Sequence, residues 1–209
     1  DDVISEVTKL VQDGYKEIIL IAQDTARYGM DIYGEPKLVE LLKELVKLNF
    51  KWIRFLYSYP ESIDDELIQV VKKNDKICKY FDLPIQHIAD DVLRKMNRKS
   101  DGNTIRNLIT KLRTEIPNVI LRTTLITGFP GETENDFNEL CDFVKESKFD
   151  RLGAFAYSAE DGTPAAKFND QIEDDIKNSR RDTIMEIQQE VSLNNLKDKV
   201  GKVYECLIE

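Results

Sequence analysis

Apolar positions along this chain follow two alternating rhythms. One is spaced three and four residues apart, the mark of a half-buried helix; the other is a continuous short run, the mark of a buried strand. Val3, Val7, Leu10 and Val11 predict a helix over 3–13, and EIILIA (17–22) predicts the strand after it. Leu38, Leu41, Leu42, Leu45 and Leu48 place a helix over 37–48, followed by the strand WIRFLY (52–57). Leu67, Ile68 and Val71 point inward from a helix starting at Asp64, and KYFDLP (79–84) is the third strand. A short helix at DDVLRKM and a longer one over 103–116, stopped by Pro117, lead to the strand VILRTTLIT (119–127). A helix over 132–147 has Thr133 as N-cap with Asp136 three residues on, and RLGAFAY (151–157) is the fifth strand. A long, highly charged helix then runs from about 171 to 197, and KVYECLI (202–208) starts a further strand after Gly201.

Regular alternation of strand and helix predicts a parallel sheet and the α/β class. Five core strands are too few for a closed eight-stranded barrel. A doubly wound open sheet is one solution. An incomplete parallel (β/α) barrel lacking its first strand fits better, because the chain opens on a helix with no strand before it. Residues 1–200 then form the barrel domain, and 201–209 read as the start of another.

Composition narrows the functional classes. Among 209 residues, 41% are hydrophobic, enough for a core, and 33% are charged. The formal net charge of −9 runs against nonspecific nucleic-acid binding, which needs cations to neutralise phosphates, and leaves no strong nucleic-acid signal. No apolar run reaches the length of a membrane span. The chain opens on DDVISEV with no initiator Met and no signal peptide, so it reads as a piece of something longer. Cys78, Cys141 and Cys206 are odd in number and far apart, which suits a reducing cytoplasm rather than a disulfide framework. None has CxxC spacing, and Cys141 shares an apolar helix stripe with Phe137, Leu140 and Val144, so no cysteine metal site is expected from this chain.

Ligands gather at the carboxyl ends of parallel strands in either architecture. Those ends read AQDTARYG, YSYP, PIQH, GFPGE and YSAEDGTPAA, all polar or glycine-rich, whereas the strand bodies are mainly apolar. GFPGETE lacks the Lys of a Walker loop, and its two acidic residues at a helix start would repel phosphate. It is either a tight strand-to-helix turn, with Pro130 fixing φ and Gly131 free to adopt positive φ, or a close approach to a ligand. Arg122 lies within a strand on the same face as Thr124. It points into a barrel toward an anion, or outward to a carboxylate on a covering helix. His87, the only histidine, reads as a hydrogen-bonded wall residue, and Tyr57, Tyr59, Tyr80 and Tyr157 as barrel filling.

AQDTARYG, YFDLPIQH, LRTTLITGFPGETENDF and DRLGAFAYSAEDGTPAA closely resemble the radical S-adenosylmethionine methylthiotransferases, over nearly the whole chain. PIQH and LRTT resemble the RimO branch, whose members methylthiolate an aspartate of ribosomal protein S twelve. The resemblance implies a radical SAM barrel, S-adenosylmethionine and 4Fe-4S clusters as cofactors, a C-terminal TRAM domain beginning at GKVYECLIE, and the small ribosomal subunit as partner; it names no electron donor. The CxxxCxxC that holds the radical cluster in that family is absent from this chain, which is therefore expected to be inactive alone. In the family one S-adenosylmethionine gives a methyl group and another a 5′-deoxyadenosyl radical. The resemblance implies Gln23 for the methionyl ammonium, with Gln86 beside it on the rim, Arg122 for the carboxylate or ribose, Gly128 and Gly131 for the approach of adenosine, and Tyr157 and Ser158 on the far side. A tRNA methylthiotransferase of the same superfamily and a noncatalytic TIM-like binding module are the rival readings.

Overall fold

The structure is a computed structural model that describes residues 2–208. Its strands are β1 (Glu17–Leu20), β2 (Trp52–Phe55), β3 (Tyr80–Gln86), β4 (Ile120–Thr127) and β5 (Arg151–Ala156). The helices are α1 (Asp2–Gln12), α2 (Met30–Tyr33), α3 (Leu38–Leu45), α4 (Asp65–Lys73), α5 (Asp90–Lys95), α6 (Gly102–Glu115), α7 (Glu134–Ser147) and α8 (Asp174–Lys197).

All strand pairs are parallel, β1 with β2, β3 with β4 and β4 with β5. A bridge from Ile53 to Ile77 and the bond from Ser58 N–H to the Asp82 carbonyl (2.9 Å) join β2 to β3. Strand order in space is therefore the order in sequence, with none of the reversal that defines a doubly wound sheet. Burial agrees. Ile18, Ile53, Phe55, Phe81, Leu83, Leu121 and Leu125 pack into one core with the inner faces of the helices, Leu42 and Leu45 of α3 and Leu140, Phe143 and Val144 of α7 among them. The alternate positions lie on the other face, where Arg122 and Phe155 are exposed and Thr124 and Ile126 half-buried. A sheet covered on one face only and ordered sequentially is a segment of a (β/α) barrel, and its uncovered face is the barrel interior.

The helix termini are local products of the sequence. Thr133 and Asp136 close a reciprocal capping box at the start of α7, and Asp64 and Asp101 cap α4 and α6. The strand expected over 202–208 does not form; those residues carry no regular structure. A single extended segment is not stable as a strand by itself, and 202–208 pairs with none of the strands described.

Candidate functional site

The carboxyl ends of the strands are lashed together. Asp24, after β1, accepts from Tyr59 N–H (3.3 Å) and the Ser62 hydroxyl (2.7 Å), and Thr25 N–H donates to the Tyr57 carbonyl (2.8 Å), so the ends of β1 and β2 move as one. Arg98 donates to the Pro84 carbonyl (2.7 Å) while stacked 4.3 Å over Tyr59, clamping β2 to β3. Three successive strands then end on left-handed residues: Tyr57 at φ 57°, Gln86 at φ 73° and Gly128 at φ 70°. Glycine adopts this freely, but tyrosine and glutamine do so at a cost of about 1–3 kcal/mol each. The same rim contains Ser58, fully buried with no partner for its hydroxyl among the described residues.

The turn after β4 is built around one carboxylate. Glu132, with no side-chain exposure, accepts from Gly128 N–H (2.8 Å) on Oε2 and from Arg180 Nη1 (2.9 Å) on Oε1. His87 Nε2 lies 3.4 Å from the same Oε2, and His87 Nδ1 accepts from Ala89 N–H (3.1 Å). Thr127 donates to the Lys177 carbonyl (3.1 Å) and Gly131 N–H to the Asp170 carbonyl (2.8 Å). A carboxylate thus occupies the amide that a phosphate would seek, which agrees with the absence of a Walker lysine.

The residues singled out in the sequence are dispersed over this framework. Gln23 and Ser158 are exposed at the ends of β1 and β5, and Gln86 is half-buried at the end of β3. The Tyr157 ring packs on Phe129 (5.1 Å between centroids) with Lys177 Nζ 5.6 Å from it, and its buried hydroxyl has no partner among the described residues. At Gly128 a Cβ would overlap the side chain of Lys177, and at Gly131 it would overlap Lys95 Nζ and Asp170, so the space freed by both glycines is filled by this chain's own atoms. Arg122 is on the interior face, directly across from Asp82 and Arg151, with Nε 3.8 Å from Asp82 Oδ1. It precedes Thr127 by five residues, which at about 3.3 Å per residue sets it roughly 16 Å below the rim. Burial pushes the Asp82 carboxyl up from its usual range, against the opposing pull of Arg122. A cleft of about 580 Å³ lies at the opposite mouth, lined by Trp52, Arg54, Tyr80 and Arg151. Tyr57, read from the sequence as barrel filling, is 42% exposed rather than packed.

The sequence pattern does not mark Glu132, Arg180 or Lys177 as functional. Glu132 reads as one more acid at a helix start, and Arg180 and Lys177 lie in a charged helix whose pattern suggests solvated positions. Lys177 pairs with Asp174 three residues earlier (2.9 Å), but nothing within a few residues of Arg180 signals Glu132 as its partner.

S-adenosylmethionine carries an ammonium, a carboxylate and ribose hydroxyls. The rim's amides at Gln23 and Gln86 and the unpaired hydroxyls of Ser58 and Tyr157 are donors and acceptors of the kind it needs. An iron–sulfur cluster is not matched. Cys78 precedes β3, Cys141 is buried on α7 and Cys206 is exposed near the chain's end, and burial raises the thiol pKa of the first two, disfavouring the thiolate a cluster requires. Among the described residues no group of three or more His, Cys, Asp or Glu side chains could hold a metal ion.

A one-sided parallel sheet in sequential order, with polar strand ends forming a rim, is the architecture of a partial barrel, and the chain belongs to the radical SAM superfamily, whose model matches residues 1–144. Within it, the chain is 60% identical over its full length to the ribosomal protein uS12 methylthiotransferase RimO of Alkaliphilus oremlandii, and 57% identical to the RimO of Clostridioides difficile. It spans about half of these curated relatives, 48% and 47% of their lengths. Among solved structures it is similar in fold to the radical S-adenosylmethionine methyltransferase TsrM of Kitasatospora setae, with cobalamin and a [4Fe-4S] cluster bound (TM-score 0.58, 15% identity, 74% of this chain and 30% of that one). Coproporphyrinogen III oxidase of Escherichia coli, a radical SAM enzyme, is similar too (TM-score 0.55, 21% identity, 77% and 36%).

Proposed function

We propose that this chain is the barrel portion of a methylthiotransferase that adds a β-methylthio group to an aspartate of small-subunit ribosomal protein S twelve, and that it acts in the cytoplasm. The observation that carries this reading is the 60% identity to a uS12 methylthiotransferase along the entire chain. When bound, S-adenosylmethionine supplies the methyl group and the radical chemistry of this class. The chain's own part is binding and orientation. Gln23 and Gln86 hold the polar methionyl end, Tyr157 and Ser158 border the opposite side of the rim, and the backbone between Gly128 and Gly131 forms the floor between them. Arg122, lower on the interior face, is the cation open to a carboxylate entering the barrel. Residues 201–209 begin a TRAM domain. The net charge of −9 favours a basic ribosomal protein over tRNA as substrate.

The test is mass spectrometry of ribosomal protein S twelve and of tRNA from a strain lacking the full-length gene. Loss of the methylthio group from the protein alone supports the proposal. Loss from tRNA with the protein still modified overturns it.

A further inference from the structure

The polar and charged groups buried beneath the turn after β4 serve no role in binding as described so far. His87 and Glu132 have no side-chain exposure, and that of Arg180 is 10%. A buried ion pair is weak evidence of a stabilising role, because an apolar replacement of equal volume is often as stable. What an apolar replacement would not supply is the acceptor for Gly128 N–H, a backbone group on the rim itself. Each atom of the carboxylate has an assigned neighbour: Oε2 takes Gly128 N–H and faces His87 Nε2, and Oε1 takes Arg180. Because Ala89 N–H donates to His87 Nδ1, the ring proton is on Nε2, which lies 3.4 Å from Glu132 Oε2 without a formed hydrogen bond among the described residues. Arg180 also donates to the Glu132 carbonyl (3.1 Å) and to Glu134 (3.0 Å).

We propose that His87, Glu132 and Arg180 act as one positioning device that holds the left-handed turn at Gly128 in place on the rim. Three separate elements converge on one carboxylate, the end of β3 through His87, the end of β4 through Gly128 and the long helix α8 through Arg180. Helix α8 is therefore part of the site, although the superfamily match ends at residue 144. The carbonyl of Lys177, which holds Thr127, attaches the same helix to the last residue of β4. A shift of α8 along its axis would pull on Gly128 through Arg180 and on Thr127 through Lys177. The link from this device to cofactor binding rests on the proposed function; the link to Gly128 does not.

The test uses the 209-residue chain labelled with nitrogen-15. The readouts are the Gly128 amide shift and hydrogen exchange, the His87 tautomer, and affinity for S-adenosylhomocysteine. Glu132→Gln keeps the shape and removes the charge. It should move the Gly128 amide, speed its exchange by roughly tenfold or more, and weaken the nucleoside by about tenfold, with other strand-end amides unmoved. Arg180→Lys should restore part of what Arg180→Met loses. Should Glu132→Gln fail to fold, His87→Asn provides the second measurement: it keeps an acceptor for Ala89 N–H and should still move the Gly128 amide. A Gly128 amide unchanged in both variants overturns the proposal. A moved amide in a chain that binds no nucleoside supports the device and counts against the cofactor reading instead.

Discussion

Replacing Gly128 with alanine tests how tightly α8 is seated against the rim. Two effects combine. At φ 70° an L-residue is strained by about 1–2 kcal/mol. The new methyl would also stand 2.8 Å from Lys177 Cβ and 3.0 Å from Lys177 Cα, the latter a backbone atom of α8, and overpacking of this kind costs about 1–3 kcal/mol. Gly162 is the control: at φ 84° it has the same handedness, but nothing lies within 4 Å of its would-be Cβ, so Gly162→Ala should show the strain alone. Gly131→Ala should fall between them, because the atoms in its way are the ends of the Lys95 and Asp170 side chains, which can swing aside. Gly128→Ala should therefore be about 2 kcal/mol less stable than Gly162→Ala, or roughly 4–8 °C lower in melting temperature for a domain of this size. Urea unfolding of the three variants with a common m-value gives the comparison. Equal stability for the Gly128 and Gly162 variants would refute the packing of α8 on the turn.

Asp82→Asn should stabilise the chain increasingly as pH rises from about 4 to 7. Burial raises the folded-state pKa of Asp82, so the stability it contributes is present in the protonated form below the unfolded pKa and lost as pH climbs through the folded one, whereas asparagine does not ionise. Urea titrations at both pH values decide it, and a difference that shrinks toward pH 7 contradicts the assignment. Thr133→Ala removes the α7 capping box and should cost about 1 kcal/mol, read as a lower urea midpoint; no change would mean that the Asp136 side chain caps the helix alone. Anaerobic incubation with iron and sulfide should leave the chain without a stoichiometric cluster, and a stable cluster near one equivalent would show that its three cysteines are ligands after all.

What the sequence by itself determined is what lies within one element or one turn. Strand and helix positions follow from apolar spacing, because a helix or strand must bury one stripe or face whatever its neighbours. The α7 cap is legible in Thr133 and Asp136 because both partners sit in one helical turn. The rim could be located because parallel strands place all their carboxyl ends on one side. The tertiary structure decided the rest. Only the helix-facing side of the sheet is covered, since right-handed crossovers between parallel strands in sequential order place the connecting helices on one face. Arg122 is on the interior face as one of its two readings required, but strand register puts it beside Asp82, well below the rim. Glu132 and Arg180 are 48 residues apart, and the pairing exists only because α8 packs back against α7 and β5. No periodicity records such a contact; it depends on where two separately folded segments come to rest. For the same reason the space at Gly128 and Gly131, open to a ligand in the sequence, belongs in the folded chain to Lys177, Lys95 and Asp170.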